Sequence, residues 1–138
     1  MHVLYVEDNP RNMLLVKRIL EADGHTMLEA TDGRAGWQMA LSERPSLILV
    51  DLHLPGAMSG FDLIRRLKQH PTLQQTPVIV LTAYGEGEVE RAARAAGCDE
   101  FLVKPADIRQ IRAAINRFSD VSPSPLAAPA QSRRRVFI

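Results

Sequence analysis

The sequence predicts an α/β domain with a parallel sheet, because short apolar runs alternate with longer amphipathic stretches. The predicted strands are residues 2–6, 26–30, 46–50, 77–82 and 100–103, and the predicted helices are residues 10–23, 34–43, 60–69, 86–96 and 107–118. Five strands that each precede a helix favour parallel strands joined by right-handed crossovers. Within the third run, Leu47 to Val50 are apolar without a break, which is typical of a strand buried on both faces.

Turn and capping residues mark the boundaries of these elements in chain order. Pro10 suits the first turn of the first helix, and Gly24 suits the end of that helix before the second strand. Pro45 separates the second helix from the third strand, and Pro77 opens the fourth strand. Gly97 ends the fourth helix before the fifth strand and the fifth helix. The punctuation therefore agrees with the alternating pattern.

Composition and charge exclude several classes of protein. The 138 residues are 46% hydrophobic and 24% charged, with a net charge of +1, which is ordinary for one globular domain. Such a charge gives no general attraction to nucleic acid or to anionic membranes. The single cysteine, Cys98, excludes an internal disulfide and fits a reducing compartment. With no membrane-length apolar stretch and no signal peptide, we expect a cytoplasmic protein that contacts neither nucleic acid nor membrane.

The composition changes after residue 118 to "SDVSPSPLAAPAQSRRRVFI". Proline, serine and alanine in this stretch argue against stable structure. We therefore expect a folded domain over residues 1–119 and a disordered tail over residues 120–138. No output domain is expected after the fifth helix, so the output is expected to act through protein contact.

Polar side chains occupy the carboxyl ends of four predicted strands. Glu7 and Asp8 follow the first strand, Asp51 follows the third, Thr82 closes the fourth and Lys104 follows the fifth. Ligands of open parallel sheets bind beyond these ends, so the five side chains are expected to converge. Three carboxylates at one crevice repel each other unless one is protonated or a cation is bound, and oxygen ligands favour Mg²⁺. The alternative for Asp51 alone is an ordinary strand-end residue with its oxygens in water.

The motifs around these residues are "VEDNP", "LVDLHLPG", "VLTA" and "LVKP". In this order and spacing they resemble the receiver domain of bacterial two-component response regulators, over Met1 to about Phe118. The run "AGCDEFLVKP" is similar to small single-domain regulators of the cell-cycle and chemotaxis type. The resemblance implies a flavodoxin-like, doubly wound (βα)5 fold whose five-stranded parallel sheet has the order 2-1-3-4-5.

The resemblance also implies a role for each residue at the strand ends. Asp51 would be the phosphoacceptor, receiving a phosphoryl group from a sensor histidine kinase or a histidine phosphotransfer protein. Asp8, Asp51 and the backbone carbonyl of His53 would bind Mg²⁺ directly, and Glu7 would act through a bound water. Metal and lysine both neutralise phosphoryl oxygens, which is what phosphoryl transfer requires.

Signalling would use residues of the fourth and fifth strands. Thr82 would hydrogen-bond one phosphoryl oxygen and Lys104 would pair with another, and the bond from Lys104 to Pro105 would be cis. Thr82 would move on phosphorylation, and Phe101 would turn inward, remodelling the face of the fourth helix, fifth strand and fifth helix for a downstream protein. The alternative for Phe101 is a simple core aromatic. The oligomeric state implied is a monomer or a phosphorylation-dependent dimer.

The loop after Asp51 and two bulky residues near the strand ends raise finer expectations. Gly60 lies nine residues after Asp51, where eight is common in the family, so one residue of the loop, Ala57 or Met58, is interpreted as an insertion. His53 and Tyr84 occupy positions where the family controls water access, and their bulk predicts slow hydrolysis of the phosphorylated state. The alternative is two solvent-facing side chains without kinetic effect.

The first helix offers candidate contacts for the phosphodonor. At 100° per residue, Leu15, Val16, Ile19 and Leu20 share one face and Leu14 lies opposite. In the family this part of the surface receives the kinase or phosphotransfer protein. Leu14 and Met13 are therefore the predicted docking contacts.

Three rival functions use similar features. A phosphatase-type enzyme with an aspartyl intermediate would have a second Asp two residues after the first, where this chain has His53. A flavodoxin-like cofactor binder would have Ser, Thr and Gly after the first strand, where this chain has "EDNPRN". A pseudo-receiver, a protein-interaction module independent of phosphorylation, would lack the acceptor or the lysine, and it stays as the alternative. The expected protein is a phosphoacceptor in signalling and not an ordinary enzyme.

Overall fold

The computed structural model describes residues 1–119 and residue 138. Within these residues, strands and helices alternate along the chain. The strands are β1 (His2–Val6), β2 (Thr26–Ala30), β3 (Leu47–Val50), β4 (Val78–Thr82) and β5 (Glu100–Val103), and the helices are α1 (Pro10–Ala22), α2 (Gly33–Glu43), α3 (Gly60–Gln69), α4 (Gly87–Ala96) and α5 (Ile108–Arg117). Every predicted element is present, and no end differs from the prediction by more than one residue.

The strands form one parallel sheet in the order β2-β1-β3-β4-β5, which confirms the predicted flavodoxin-like, doubly wound α/β fold. The direction of winding reverses between β1 and β3, and a crevice forms at the carboxyl ends of strands at such a reversal. The register pairs Val6 of β1 with Val50 of β3. The next residues along, Glu7 and Asp51, therefore lie side by side at the crevice.

Two hydrophobic layers cover the two faces of the sheet. Alternate residues of each strand point to opposite faces, so Val3 and Tyr5 pack toward α1 and α5, whereas Leu4 and Val6 pack toward α2 and α3. All residues of β3 are buried, as its apolar run predicts, and all residues of β4 are buried as well. This double burial fixes the strand ends that carry Asp51 and Thr82.

Side-chain caps start the helices close to the same edge. Asn9 accepts hydrogen bonds from the N–H groups of Arg11 and Asn12 at the start of α1. Ser59 and Asp62 form a reciprocal capping box at α3. Such caps satisfy N–H groups that the first helical turn leaves free. They also fix where each connecting loop ends relative to the crevice.

The predicted tail, residues 120–138, lies outside the described residues except for Ile138, so the division into a domain and a tail stays a prediction. Among residues 1–119, none of the helices combines the length and the apolar character that a membrane span requires.

Candidate functional site

Asp51 lies immediately beyond β3, with its backbone held by the neighbouring strand. Its N–H donates to the carbonyl of Val6 at 3.0 Å, and the residue is only 7% exposed. One carboxylate oxygen, Oδ1, accepts a hydrogen bond from the N–H of His53 at 3.0 Å. A strand-end aspartate with its oxygens in water would not be buried to this extent. The structure therefore argues against the ordinary reading of Asp51.

Lys104 joins two carboxylates at the centre of the crevice. Its Nζ donates to Glu7 Oε1 at 2.5 Å and to Asp51 Oδ2 at 3.1 Å. Its own N–H donates to the carbonyl of Thr82 at 2.7 Å, which ties the loop after β5 to the end of β4. Glu7, Asp51 and Lys104 come from three strand ends, as the sequence predicted. A single ammonium between two buried carboxylates leaves excess negative charge.

Glu7 carries the unbalanced group of this cluster. The residue is 1% exposed, and its Oε1 also accepts from Asn12 Nδ2 at 2.8 Å and from the Tyr5 hydroxyl at 3.4 Å. Its Oε2 is buried and has no hydrogen-bond partner among the described residues. Burial raises the pKa of Glu7, contact with Asp51 raises it further, and donation by Lys104 and Asn12 lowers it. An orphaned carboxylate oxygen is where a cation or its bound water would be accommodated.

Magnesium suits this set of oxygens. Residues 1–119 and 138 contain no group of three or more His, Cys, Asp or Glu side chains that is already arranged to hold a metal ion. Mg²⁺ does not require one, since it keeps several waters and is held by one or two carboxylates together with phosphate oxygens. Buried Glu7 with its free Oε2, exposed Asp8 and Asp51 supply such carboxylates at one strand edge.

Thr82, His53 and Tyr84 line the other side of the crevice. Thr82 is fully buried at the end of β4, and its hydroxyl accepts a hydrogen bond from the N–H of Tyr84 at 3.3 Å. The rings of His53 and Tyr84 are in contact, with centroids 5.3 Å apart. Tyr84 is 50% exposed. The two residues that sequence analysis placed as separate water-controlling groups therefore form one aromatic pair, one residue following β3 and the other β4.

Phe101 lies on β5, and Pro105 lies in the loop that follows this strand. Phe101 is 7% exposed and packs in the layer toward α2, α3 and α4, an inward position that fits both the predicted switch role and the alternative of a simple core aromatic. Phe101 pairs with Val80, and Thr82 is two residues further along the same face of β4. The peptide bond between Lys104 and Pro105 is cis.

The loop between Asp51 and Gly60 packs closely against its surroundings. A Cβ on Gly60 would lie 2.6 Å from the carbonyl oxygen of Asp51, so only glycine lets α3 begin this close to the acceptor. A Cβ on Gly33 would lie 2.7 Å from the backbone oxygen of Met58. This loop therefore rests on the start of α2, and Gly33 and Gly60 provide the space.

The structure corrects one of the two predicted docking contacts on α1. Leu14 is 47% exposed, as predicted. The prediction for Met13 is wrong, because its side chain is 6% exposed and packs in the layer beneath α1 and α5. Met13 lies one helical turn before Val16 and therefore shares the buried face.

Sequence analysis also missed two side chains that contact Glu7. Tyr5 precedes Glu7 by two residues, so both point to the same face of β1. Asn12 is in the first turn of α1, five residues after Glu7, and bonds Glu7 Oε1. A polar residue in the first turn after an acidic strand end was the available signal for Asn12. A tyrosine in an otherwise aliphatic strand was the signal for Tyr5.

Comparisons with known proteins agree with this arrangement. The family model described as "Response regulator receiver domain" matches residues 3–116. The polar-differentiation response regulator DivK of Brucella anthropi is 35% identical over 106 residues, covering 77% of this chain and 85% of that protein.

Solved structures show the same fold. The chemotaxis protein CheY4 of Vibrio cholerae superposes with a TM-score of 0.79 at 26% identity, covering 86% of this chain and 98% of that one. The receiver domain of the sensor histidine kinase PA1611 of Pseudomonas aeruginosa, solved with a magnesium ion in its active-site cleft, has a TM-score of 0.78 at 26% identity, with coverages of 85% and 95%. With the family model spanning most of the fold, the chain belongs to the response regulator receiver domains of two-component signalling.

Proposed function

We propose that Asp51 accepts a phosphoryl group from a sensor histidine kinase or a histidine phosphotransfer protein. The observation that carries this proposal is the buried cluster in which Lys104 bridges Glu7 and Asp51 while Glu7 Oε2 has no partner. A purely structural ion cluster would satisfy each buried oxygen. A cluster that binds a metal and a phosphoryl group can leave a buried oxygen without a partner until those groups arrive.

The transfer is a displacement at phosphorus. A carboxylate oxygen of Asp51 forms a bond to the phosphorus, the phosphorus–nitrogen bond of the donor phosphohistidine breaks, and the imidazole leaves with the bonding electron pair. The N–H of His53 fixes one Asp51 oxygen and Lys104 contacts the other, so the carboxylate is oriented before the donor arrives.

Charge neutralisation is shared among the groups around Asp51. Lys104 pairs with a phosphoryl oxygen, and the Thr82 hydroxyl hydrogen-bonds another. Asp8, Asp51 and the backbone carbonyl of His53 are the proposed direct ligands of Mg²⁺, with Glu7 acting through a water. When bound there, Mg²⁺ would supply positive charge to phosphoryl oxygens in addition to that of Lys104.

Phosphorylation would alter the surface formed by α4, β5 and α5, to which a downstream protein would bind. Thr82 ends β4 beside β5, so its engagement with a phosphoryl group would be transmitted to the neighbouring strand and to Phe101. The proposed partners are the phosphodonor and a downstream protein, in the cytoplasm, with residues 1–119 as the receiver domain. The pair of His53 and Tyr84 would restrict water and prolong the phosphorylated state.

The test is intact mass spectrometry after incubation with Mg²⁺ and acetyl phosphate. We expect a gain of one phosphoryl group in the wild type, with no gain in Asp51→Asn or when Mg²⁺ is chelated. Asp62→Asn is the matched control, because Asp62 is a capping residue of α3 outside the crevice, and it should still gain the group. A wild type that forms no adduct would favour the pseudo-receiver that acts by binding alone.

A further inference from the structure

Ile138 is bound to the domain at a defined place. The residue is 9% exposed and belongs to the layer that includes Met13 of α1 and Ile111 of α5. Its carbonyl accepts from the N–H of Ala106 at 3.1 Å, and its N–H donates to the carbonyl of Ala106 at 3.3 Å. Two residues that exchange both hydrogen bonds form the bonded pair of an antiparallel ladder.

The seat that receives Ile138 consists of the backbone of Ala106 and the apolar side chains around it. With Ile138 in place, Ala106 is 1% exposed, so docking shields its N–H and carbonyl from water. Both groups find their partners in Ile138. Buried backbone groups without a partner are costly, and aliphatic side chains gain by leaving water. The seat therefore suits an extended, apolar segment of chain.

The seat is directly connected to the phosphoacceptor site. Only Pro105 lies between Ala106 and Lys104, whose Nζ contacts Glu7 and Asp51. A phosphoryl group on Asp51 adds oxygens at which Lys104 would be drawn away from Glu7. The backbone of residues 104–106 carries both Lys104 and the groups that bind Ile138, so one loop position serves both contacts.

We propose that Ile138 is an internal ligand of the seat at Ala106, and that its docking opposes occupation of the Asp51 site. Docked Ile138 holds the loop where Lys104 binds both carboxylates. Occupation of Asp51 by a phosphoryl group shifts that loop and weakens the docking. Because linkage is reciprocal, loss of docking strengthens binding of a phosphoryl analogue by the same factor that the analogue weakens docking. This regulation rests on the phosphoacceptor function proposed above.

The test uses the full chain and reads hydrogen exchange of the Ala106 amide by NMR together with affinity for beryllofluoride in the presence of Mg²⁺. Ile138→Asp removes the apolar contact, and Ile138→Val retains it. Leu41→Asp is the control, because Leu41 is 38% exposed on α2, which packs on the opposite face of the sheet from Ile138. The α5 amides report whether each variant keeps its fold.

We expect the Ala106 amide to exchange about tenfold faster in Ile138→Asp than in the wild type, with Ile138→Val and Leu41→Asp close to wild type. Beryllofluoride should accelerate this exchange in the wild type by about threefold, and Ile138→Asp should bind beryllofluoride about threefold more tightly. The protection should not depend on protein concentration, since the ligand is in the same chain.

Four results would overturn the proposal. Equal Ala106 exchange in the wild type and Ile138→Asp would mean that Ile138 does not dock. Protection that grows with protein concentration would assign the seat to a second copy. Beryllofluoride binding that is equal in all variants would disprove the coupling while the phosphoacceptor function stands, whereas no binding to the wild type would disprove that function and the regulation with it.

Discussion

Two lysines at opposite ends of the strands form ion pairs that differ in how many carboxylates share one ammonium group. At the amino-terminal edge, Lys68 Nζ donates to Asp99 Oδ2 and to the carbonyl of Thr76, both at 2.9 Å. The same oxygen of Asp99 accepts from the N–H of Val78 at 2.8 Å. This cluster joins α3, the connection after it and the start of β4. It has one carboxylate for one ammonium.

The carboxyl-terminal edge has the opposite balance. Lys104 serves both Glu7 and Asp51, and Glu7 Oε2 is buried without a partner among the described residues. Folding alone would favour the complete arrangement, because unpaired buried charge is costly. The difference indicates that the Lys68 cluster holds elements together, whereas the Lys104 cluster is prepared for groups that arrive later.

The largest expected effect comes from removing each lysine in turn. Lys104→Ala should slow phosphorylation by acetyl phosphate by about 100-fold or more, because it removes the positive charge beside the phosphoryl oxygens. Lys68→Ala should leave that rate within about twofold and lower the free energy of unfolding by about 1 kcal/mol. Intact mass spectrometry and urea unfolding measure the two quantities. Equal losses of phosphorylation in both variants would contradict the division of roles.

The next largest effect is expected on phosphotransfer from a protein donor, when the exposed leucine of α1 is changed. Leu14→Ser should slow transfer from a phosphorylated kinase or phosphotransfer protein by about tenfold, since it removes an exposed apolar side chain from the predicted docking surface. Its rate with acetyl phosphate should not change, because that donor needs no protein contact. Leu41→Ser on α2, where the leucine is 38% exposed, is the matched control. A similar slowing by both variants would argue against a docking role specific to Leu14.

A smaller effect is expected from the aromatic pair at the same edge. His53→Ala and Tyr84→Ala should each accelerate loss of the phosphoryl group by about threefold to tenfold, because water gains access to the acyl phosphate. Loss of phosphoryl mass over time, after removal of the donor, measures the rate. His2→Ala changes an exposed histidine at the other end of β1 and should have no effect. Unchanged rates in both variants of the pair would mean that these rings do not control water.

The smallest effect is on the stability of the metal-free protein. The pKa of Glu7 is raised in the folded state, so the fold binds an extra proton between the ordinary value of 4.5 and the raised value. The contribution of Glu7 to stability is therefore present at low pH and decreases as pH rises through this window. Without Mg²⁺, the melting temperature of Glu7→Gln relative to the wild type should increase by a few degrees from pH 4.5 to neutral pH.

Magnesium provides the complementary measurement on Glu7. At neutral pH, Mg²⁺ should raise the melting temperature of the wild type more than that of Glu7→Gln, because a bound cation stabilises the ionised carboxylate. Glu43→Gln, at the end of α2, changes an exposed carboxylate and serves as the control. A relative stability of Glu7→Gln that does not vary with pH would contradict the assignment of Glu7 as the buried, proton-binding group.

The sequence by itself determined the order of the elements and which residues stand at the strand ends. These properties depend on local pattern: apolar runs, helical periodicity and the position of proline and glycine. Parallel topology then brings strand ends to one edge, so Glu7, Asp51, Thr82 and Lys104 could be placed together before any distance was known. The motifs at these ends were sufficient to indicate the family.

The tertiary structure decided how deeply each side chain is buried and which groups it contacts. Two adjacent carboxylates differ completely in burial, since Glu7 is 1% exposed and Asp8 is exposed. Sequence periodicity cannot predict this difference, because burial depends on which side chains pack above the strand end. The burial of Met13 was decided in the same way. The contact between Ile138 and Ala106 joins residues far apart in the chain, and it depends on apolar side chains of α1 and α5 that only the assembled fold brings together.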